Sequence, residues 1–379
     1  MVQDPRGVRV EPNRFADPAL AAALAVPGAD DVPAFHRSLP GYAPTPLVSL
    51  PGLAAALGVG ELWVKDESRR FGLGAFKALG ASYAIDRLRR LGRPVSTVAT
   101  ATAGNHGRGV AWTARRLGLR AVIFVPGHTT AARIEALRAE GAQVVVVEGS
   151  YDDAVRRAAV ESAAQGFQVI SDTAYPGYTE IPDWIMRGYT TLFAEATAQL
   201  QAAGRPDPDV VFLQAGVGGL AWAGTFFYVR RSGPSGPRLV VVESTEADCL
   251  LESIASPAGE VRATRGRLDT IMAGLNAGTP SSVAWPLLRA RVDWFLAVTD
   301  AFAEEAMRRL HAGMGGDPTV VAGESGAAGL AGLLALGREP ALARARAALG
   351  LGPQARVLLL NTEGATDPVS YRKIVGADP

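Results

Sequence analysis

The chain has 379 residues, 48% hydrophobic and 20% charged, and its 38 basic side chains nearly cancel 37 acidic ones. That composition argues against intrinsic disorder and supplies no single-sign field to hold nucleic acid or an anionic membrane. The lone cysteine, Cys249, builds neither an internal disulfide nor a thiolate zinc site, no run of about 18 apolar residues marks a membrane span, and the N-terminal stretch lacks a signal-peptide core.

Taken in chain order, short β-like runs alternate with helical patterns. Strands are expected at 62–65, 97–100, 121–125, 143–147, 210–214, 239–243, 294–298 and 357–361. Several are apolar throughout, as in VVFLQ and LVVVE, which suits strands covered on both faces and predicts a mainly parallel sheet. Helices are expected at 105–117, 152–164, 183–200, 301–312 and 327–336. In the first of these Val110, Ala111, Ala114 and Leu117 form an apolar stripe. The alternation predicts an α/β fold with right-handed crossovers. At about 150 residues per domain two domains are expected. The Gly/Pro/Asp-rich stretch 201–209 reads as a hinge, and a second break near 91–94 would leave a smaller domain at 85–205 beside a larger one built from 1–84 and 206–379. The GPSGP segment at 233–237 reads as an exposed turn.

Almost all basic residues are arginine; lysine occurs only at 65, 77 and 373. Lysine can lose its proton and form an imine, whereas arginine effectively cannot. Lys77 lies in FGLGAFKALGA beside Phe76, and such apolar surroundings should lower its pKa towards the free amine that Schiff-base chemistry needs. Next, TATAGNHGRG follows the strand at 97–100, a strand–turn–helix arrangement that brings backbone N–H groups to a ligand. Asn105 and His106 stand at its mouth, and His106 taken alone is read as a structural hydrogen-bonding residue. A third glycine turn, QAGVGG at 214–219, offers an anion cradle. Gly216, Gly218 and Ala221 also match a loose dinucleotide fingerprint, with Glu243 near the place of a ribose-binding acid, so a nicotinamide reading stays open here. Thr362 follows the strand at 357–361, where a hydroxyl can face a ligand crevice. Cys249 reads as a small buried residue, Trp184 and Tyr189 either border the substrate or pack in a core, with packing favoured, and His36, His128 and His311 show no metal-ligand spacing.

Together these segments resemble the fold-type II pyridoxal-phosphate (PLP) enzymes, which include serine/threonine dehydratases and tryptophan synthase β chains. The nearest resemblance is to the diaminopropionate ammonia-lyases. It rests on PTPL at 44–47, GAFKALG at 74–80, GNHGRGVAW at 104–112, DTAYPGYTEIPDWIMRGY at 172–189, QAGVGG at 214–219, TIMAGL at 270–275, GESGA at 323–327 and NTEGATD at 361–367. By position, the resemblance implies that Lys77 holds PLP covalently and moves the α-proton, with Phe76 preceding it. Asn105 would bond the ring 3-oxygen, and Gly216, Val217, Gly218 and Gly219 would cradle the phosphate. Thr362 would face the pyridine nitrogen and leave it largely unprotonated. Asp172 would pair with a distal ammonium or protonate the departing amine. The implied reaction is α,β-elimination of ammonia from L-2,3-diaminopropionate, giving pyruvate and ammonia; β-replacement or a serine/threonine dehydratase-like elimination is the alternative. Where the family pattern has an aspartate serving the D-isomer, this chain has Ala103, which implies restriction to the L-isomer. The lack of a membrane span and of a signal-peptide core leads to the expectation of a cytoplasmic protein without a metal site, and the resemblance implies a homodimer with a small-molecule amino-acid substrate.

Overall fold

Apolar runs too short for helices and covered on both faces form the centre of the larger of two sheets. The computed structural model describes residues 2–3, 7–28, 31–102 and 104–379. In chain order the strands are β1 (Val2–Gln3), β2 (Arg9–Pro12), β3 (Leu47–Ser49), β4 (Glu61–Asp66), β5 (Thr97–Ala101), β6 (Arg120–Pro126), β7 (Gln143–Val147), β8 (Gln168–Val169), β9 (Val210–Gln214), β10 (Arg238–Ser244), β11 (Trp294–Val298) and β12 (Arg356–Asn361). The eight-stranded sheet runs β1-β2-β11-β10-β9-β12-β4-β3 and the four-stranded sheet β7-β6-β5-β8. The five strands from β11 to β4 are parallel, while β2 and β3 close the flanks antiparallel. The small sheet is parallel throughout. The expected mainly parallel α/β architecture is therefore what forms. The helix Ala328–Arg338 is apolar on nearly every face because it is buried against β9 to β12.

The chain divides into two compact units, at positions other than those expected. One comprises the described residues of 1–30 with Ala43–Arg69 and Leu192–Pro379; the other comprises Asp31–Tyr42 and Arg70–Thr191. The expected limits at 84/85 and 205/206 miss the crossings for physical reasons. The helix Ala78–Arg90, which carries Lys77 at its start, packs on the helices Asn105–Arg116 and Glu180–Gly188, so it joins the small sheet's unit. The stretch 201–209 is no hinge: it links the helix Thr190–Ala202 to β9 inside the larger unit. The expected single helix at 183–200 is two, Glu180–Gly188 and Thr190–Ala202. Within GPSGP, Gly233–Ser235 form a short 3₁₀ turn in which Pro234 and Ser235 are exposed, while Pro237 is buried. Among the described residues no helix is long and apolar enough to cross a membrane.

Two glycines let the Lys77 helix approach its neighbour. A Cβ on Gly188 would lie 2.5 Å from the Leu79 carbonyl oxygen and 2.7 Å from the Gly80 Cα, and one on Gly80 would lie 2.5 Å from Tyr189 Cε1. Backbone cannot retreat as a side chain can, so Gly188→Ala should force the helices apart at a cost of about 1–3 kcal/mol. Denaturant unfolding should show a lowered midpoint with an unchanged slope; a midpoint equal to that of the parent would contradict the packing described.

Candidate active site

In the smaller unit, adjacent parallel strands bring distant segments together. β5 leads into the helix Asn105–Arg116, and β8 leads to Asp172. Beyond the β5–β8 ladder the Ile170 N–H still donates to the Ala99 carbonyl (2.8 Å). Tyr178 pins the next residues: its hydroxyl accepts from the Ser171 N–H (2.9 Å) and donates to the Val169 carbonyl (3.1 Å). Asp172 is thereby held where Lys77 Nζ donates to its Oδ2 at 2.7 Å. Lys77 Nζ lies 5.4 Å from the Phe76 ring centre and 5.8 Å from that of Tyr189. Its side chain is only 23% exposed and that of Asp172 only 26%. His106 is buried, with Nε2 2.8 Å from the Ile170 carbonyl and Nδ1 3.7 Å from Asp172 Oδ2. Asn105, partly buried, is the first residue of its helix.

The expected low lysine pKa is corrected here. Burial alone would lower the Lys77 ammonium, but the charge of Asp172, with a smaller pull from Tyr189, carries it above the ordinary lysine range. Burial would likewise raise the Asp172 carboxyl, yet His106 and Lys77 hold it well below the usual carboxylate range. Burial lifts the Tyr189 phenol above its ordinary range. Tyr189, for which packing was favoured over a place beside the substrate, borders the lysine. Trp184 is buried, as expected of a packing residue. Position 103 lies outside the described residues.

The larger unit presents an anion cradle. β9 ends in the turn at 215–218, and Gly218 (φ +100°) precedes the helix Gly219–Ser232, which has no side-chain cap. A Cβ on Gly218 would lie 2.8 Å from Leu288 Cδ1, so the position requires glycine on both counts. The first-turn N–H groups of such a helix lack intrahelical partners and carry the positive end of its dipole. Ser281 steadies the turn by donating its N–H to the Val217 carbonyl (2.9 Å). Its own hydroxyl is buried without a hydrogen-bond partner among the described residues. No sequence pattern marked Ser281. Thr362, buried, follows β12; Gln214 Nε2 donates to the Leu360 carbonyl (2.8 Å) and reaches Thr362 Oγ1 at 3.3 Å.

The nicotinamide reading of this turn fails on Glu243. Its carboxyl is fully buried and accepts from the Leu250 and Leu251 N–H groups, both at 2.8 Å, so it caps the helix Cys249–Ala255 instead of facing a ribose. Burial pushes it well above the usual carboxylate range. Cys249 is a buried thiol whose Sγ lies 3.7 Å from the Gly216 carbonyl oxygen. His36 is likewise structural, held between Thr191 Oγ1 (2.6 Å) and the Leu79 carbonyl (2.9 Å).

Comparison with known proteins agrees with these features. Residues 38–363 match the family described as "Pyridoxal-phosphate dependent enzyme". Diaminopropionate ammonia-lyase of Salmonella typhimurium (strain LT2) is 40% identical over 367 residues, covering 91% of each chain. The crystal structure of selenomethionine-incorporated holo diaminopropionate ammonia lyase from Escherichia coli is similar with a TM-score of 0.88 at 37% identity, covering 98% of this chain and 97% of that one. The Escherichia coli enzyme in complex with an aminoacrylate-PLP azomethine reaction intermediate gives a TM-score of 0.87 at 38% identity, with 99% and 98% covered.

The ion pair makes its own prediction. Removing the Asp172 charge with Asp172→Asn leaves burial as the dominant influence on Lys77, so the amine should titrate at least one unit lower in ligand-free protein. The pH dependence of its reductive methylation, mapped by peptide mass, reads this directly. The depressed Asp172 carboxyl contributes stability that is present above its unfolded pKa of about 3.9 and is lost as pH falls towards the folded value. The variant should therefore lose less stability than the parent between pH 5 and 2. An unchanged Lys77 titration would refute the coupling.

Proposed function

Because this chain belongs to the pyridoxal-phosphate dependent enzyme family and shares the fold-type II architecture of the diaminopropionate ammonia-lyases, we propose that it eliminates ammonia from L-2,3-diaminopropionate to give pyruvate and a second ammonia. The observation that carries the reading is the closed pairing of Lys77 with Asp172, an amine beside a carboxylate suited to a diamino acid. The residues present fit the cofactor. A glycine cradle with free N–H groups and a buried, unmatched Ser281 hydroxyl suits a phosphate, and the enclosed Lys77 amine suits an aldehyde.

When bound, pyridoxal phosphate supplies the electron sink that lets the carbon–hydrogen bond beside an amino group ionise. Lys77 would hold it covalently, next to Phe76; Asn105 would bond the ring oxygen; Gly216, Val217, Gly218 and Gly219 would hold the phosphate. Thr362 Oγ1 accepts from Gln214, which leaves its own O–H to donate towards an unprotonated pyridine nitrogen. That arrangement weakens the sink and favours prompt loss of a β-group over transamination.

Once Lys77 is engaged with the cofactor, its ammonium no longer answers Asp172, and the carboxylate so released would bind the distal ammonium of the substrate. When the substrate amine frees Lys77 again, the buried amine has no counter-charge from Asp172 and would serve as the base for the α-proton. Pyruvate and the second ammonia form when the departed enamine is hydrolysed in water. Ala103, in place of the family's aspartate, supplies no base for the opposite face, which supports restriction to the L-isomer. A cytoplasmic homodimer is part of this reading, on the family resemblance. The rival is elimination or β-replacement on another β-substituted amino acid.

Parallel incubation with L- and D-2,3-diaminopropionate, L-serine and O-acetyl-L-serine separates these readings. Pyruvate should appear fastest from L-diaminopropionate, at least tenfold above the D-isomer. Faster turnover of serine or O-acetylserine would move the assignment to the rival, and comparable rates on both isomers would remove the argument from Ala103.

A further inference from the structure

Of the chain's three lysines, Lys65 is both wholly buried and unused by the proposed chemistry. It stands near the end of β4, and its Nζ donates to the Thr45 carbonyl (2.7 Å), Glu195 Oε2 (2.6 Å) and Gln199 Oε1 (2.9 Å). An ammonium has three hydrogens, and here each has an acceptor. The acceptors are tied to one another. The Thr45 N–H donates to Glu195 Oε2 (3.1 Å), Gln199 Nε2 donates to the Thr45 carbonyl (2.9 Å), and the Thr45 hydroxyl donates to Glu67 Oε1 (2.5 Å). Glu67 is wholly buried and Glu195 nearly so. The chain passes between the larger and smaller units three times, at 42/43, 69/70 and 191/192. Thr45, Glu67 and Glu195 each lie within four residues of a different crossing, all on the larger unit's side. The third crossing falls inside the helix Thr190–Ala202, which also carries Glu195 and Gln199 one turn apart. The buried knot therefore ties together the three places at which the chain enters or leaves the larger unit.

We propose that Lys65 is a positioning residue: by holding the three connections as one body, it keeps the lysine grip and the phosphate grip on the cofactor in register. The inference rests on the cofactor placement proposed above and not on the elimination. A cofactor bonded to Lys77 in one unit and held at 216–219 in the other is gripped at both ends. Two linked grips exceed either alone by about 10²–10⁴-fold, and only when their spacing fits the ligand. The three connections carry that spacing. Buried charge is a costly way to hold them, since replacing an ion pair by apolar side chains is often neutral or stabilising. What apolar packing lacks is direction. Three donors on one tetrahedral nitrogen fix their acceptors in a single arrangement, whereas apolar side chains can slide past one another. Lysine suits this place better than the arginine used elsewhere in the chain, because a compact ammonium meets acceptors grouped around a point and a planar guanidinium does not.

The test uses full-length protein, freed of cofactor with hydroxylamine and titrated with three probes. Pyridoxal phosphate needs both grips. Pyridoxal lacks the phosphate and reports Lys77 alone, read by borohydride reduction and peptide mass mapping. Inorganic phosphate reports the 216–219 turn alone, read by calorimetry. In Lys65→Met the dissociation constant for pyridoxal phosphate should rise at least about tenfold, a part of the two-grip gain, while those for pyridoxal and phosphate stay within about twofold of the parent. Pyridoxal phosphate bound as tightly as by the parent would overturn the proposal. Equal weakening of all three probes would overturn it too, since that is the mark of a damaged fold. Lys65→Met leaves the Glu195 carboxylate buried without the Lys65 charge and should lower stability. If that variant does not fold, Thr45→Val decides by the same split, because it unties Glu67 from the knot and leaves the Lys65–Glu195 pair in place. Its loss should be at least about threefold for pyridoxal phosphate and absent for the other two probes. A parent that binds no pyridoxal phosphate at Lys77 would remove the cofactor reading itself. A parent and a Lys65→Met protein that bind it equally well would remove only this inference.

Discussion

A lysine ammonium 2.7 Å from a carboxylate, with both side chains about three-quarters enclosed, constrains everything around it. Removing either charge from water is costly, and the contact is tolerable only because each charge answers the other. The surrounding backbone is arranged to maintain it. Glycines at 80 and 188 let two helices approach closely enough to set Tyr189 beside the amine, and Tyr178 fixes the chain leading to Asp172. In the proposed reaction the same pair serves the chemistry: once Lys77 bonds the cofactor, the Asp172 carboxylate would be left to receive an ammonium-bearing substrate, which would favour diamino acids over serine or threonine.

The larger unit answers a different requirement. Its parallel strands end together, so the turn after β9 and the residue after β12 lie at one edge of one sheet. Open N–H groups at 216–219 and a threonine hydroxyl oriented by Gln214 are the chemistry of an anion site and a hydrogen-bond donor, neither of which performs proton abstraction. The division of labour explains why a loose dinucleotide fingerprint is present without the function. The glycines are needed for close backbone approach, and Glu243, which would have completed the fingerprint, closes a helix terminus deep in the interior.

Buried parallel strands were the most legible part of the fold. The runs at 210–214 and 294–298 have the bounds expected from their apolar patterns, because near-continuous burial leaves a continuous signal; the run at 143–147 matches too, on its row of valines, although none of its residues is buried. β2, β3 and β8 were missed, being two to four residues long and set by pairing with neighbours more than by their own pattern. The unit boundaries were illegible because the chain enters the smaller unit twice, and the helix Val32–Arg37 joins it by tertiary packing alone. Within the candidate site, Lys77 stood out by rarity and context, and Asp172 by the stretch around it. The direction of the Lys77 shift was misjudged, since neighbouring letters report burial but not a carboxylate 95 residues away. Ser281 and the inward-facing Nδ1 of His106 are products of folding that no local pattern carries.

The central claim is that the amine at position 77 is the covalent anchor of the cofactor. Borohydride reduction of freshly purified protein, followed by proteolysis and peptide mass mapping, tests it directly. The account predicts a phosphopyridoxyl group on Lys77 and none on Lys65 or Lys373. An unmodified Lys77 peptide from material that retains its cofactor would contradict it.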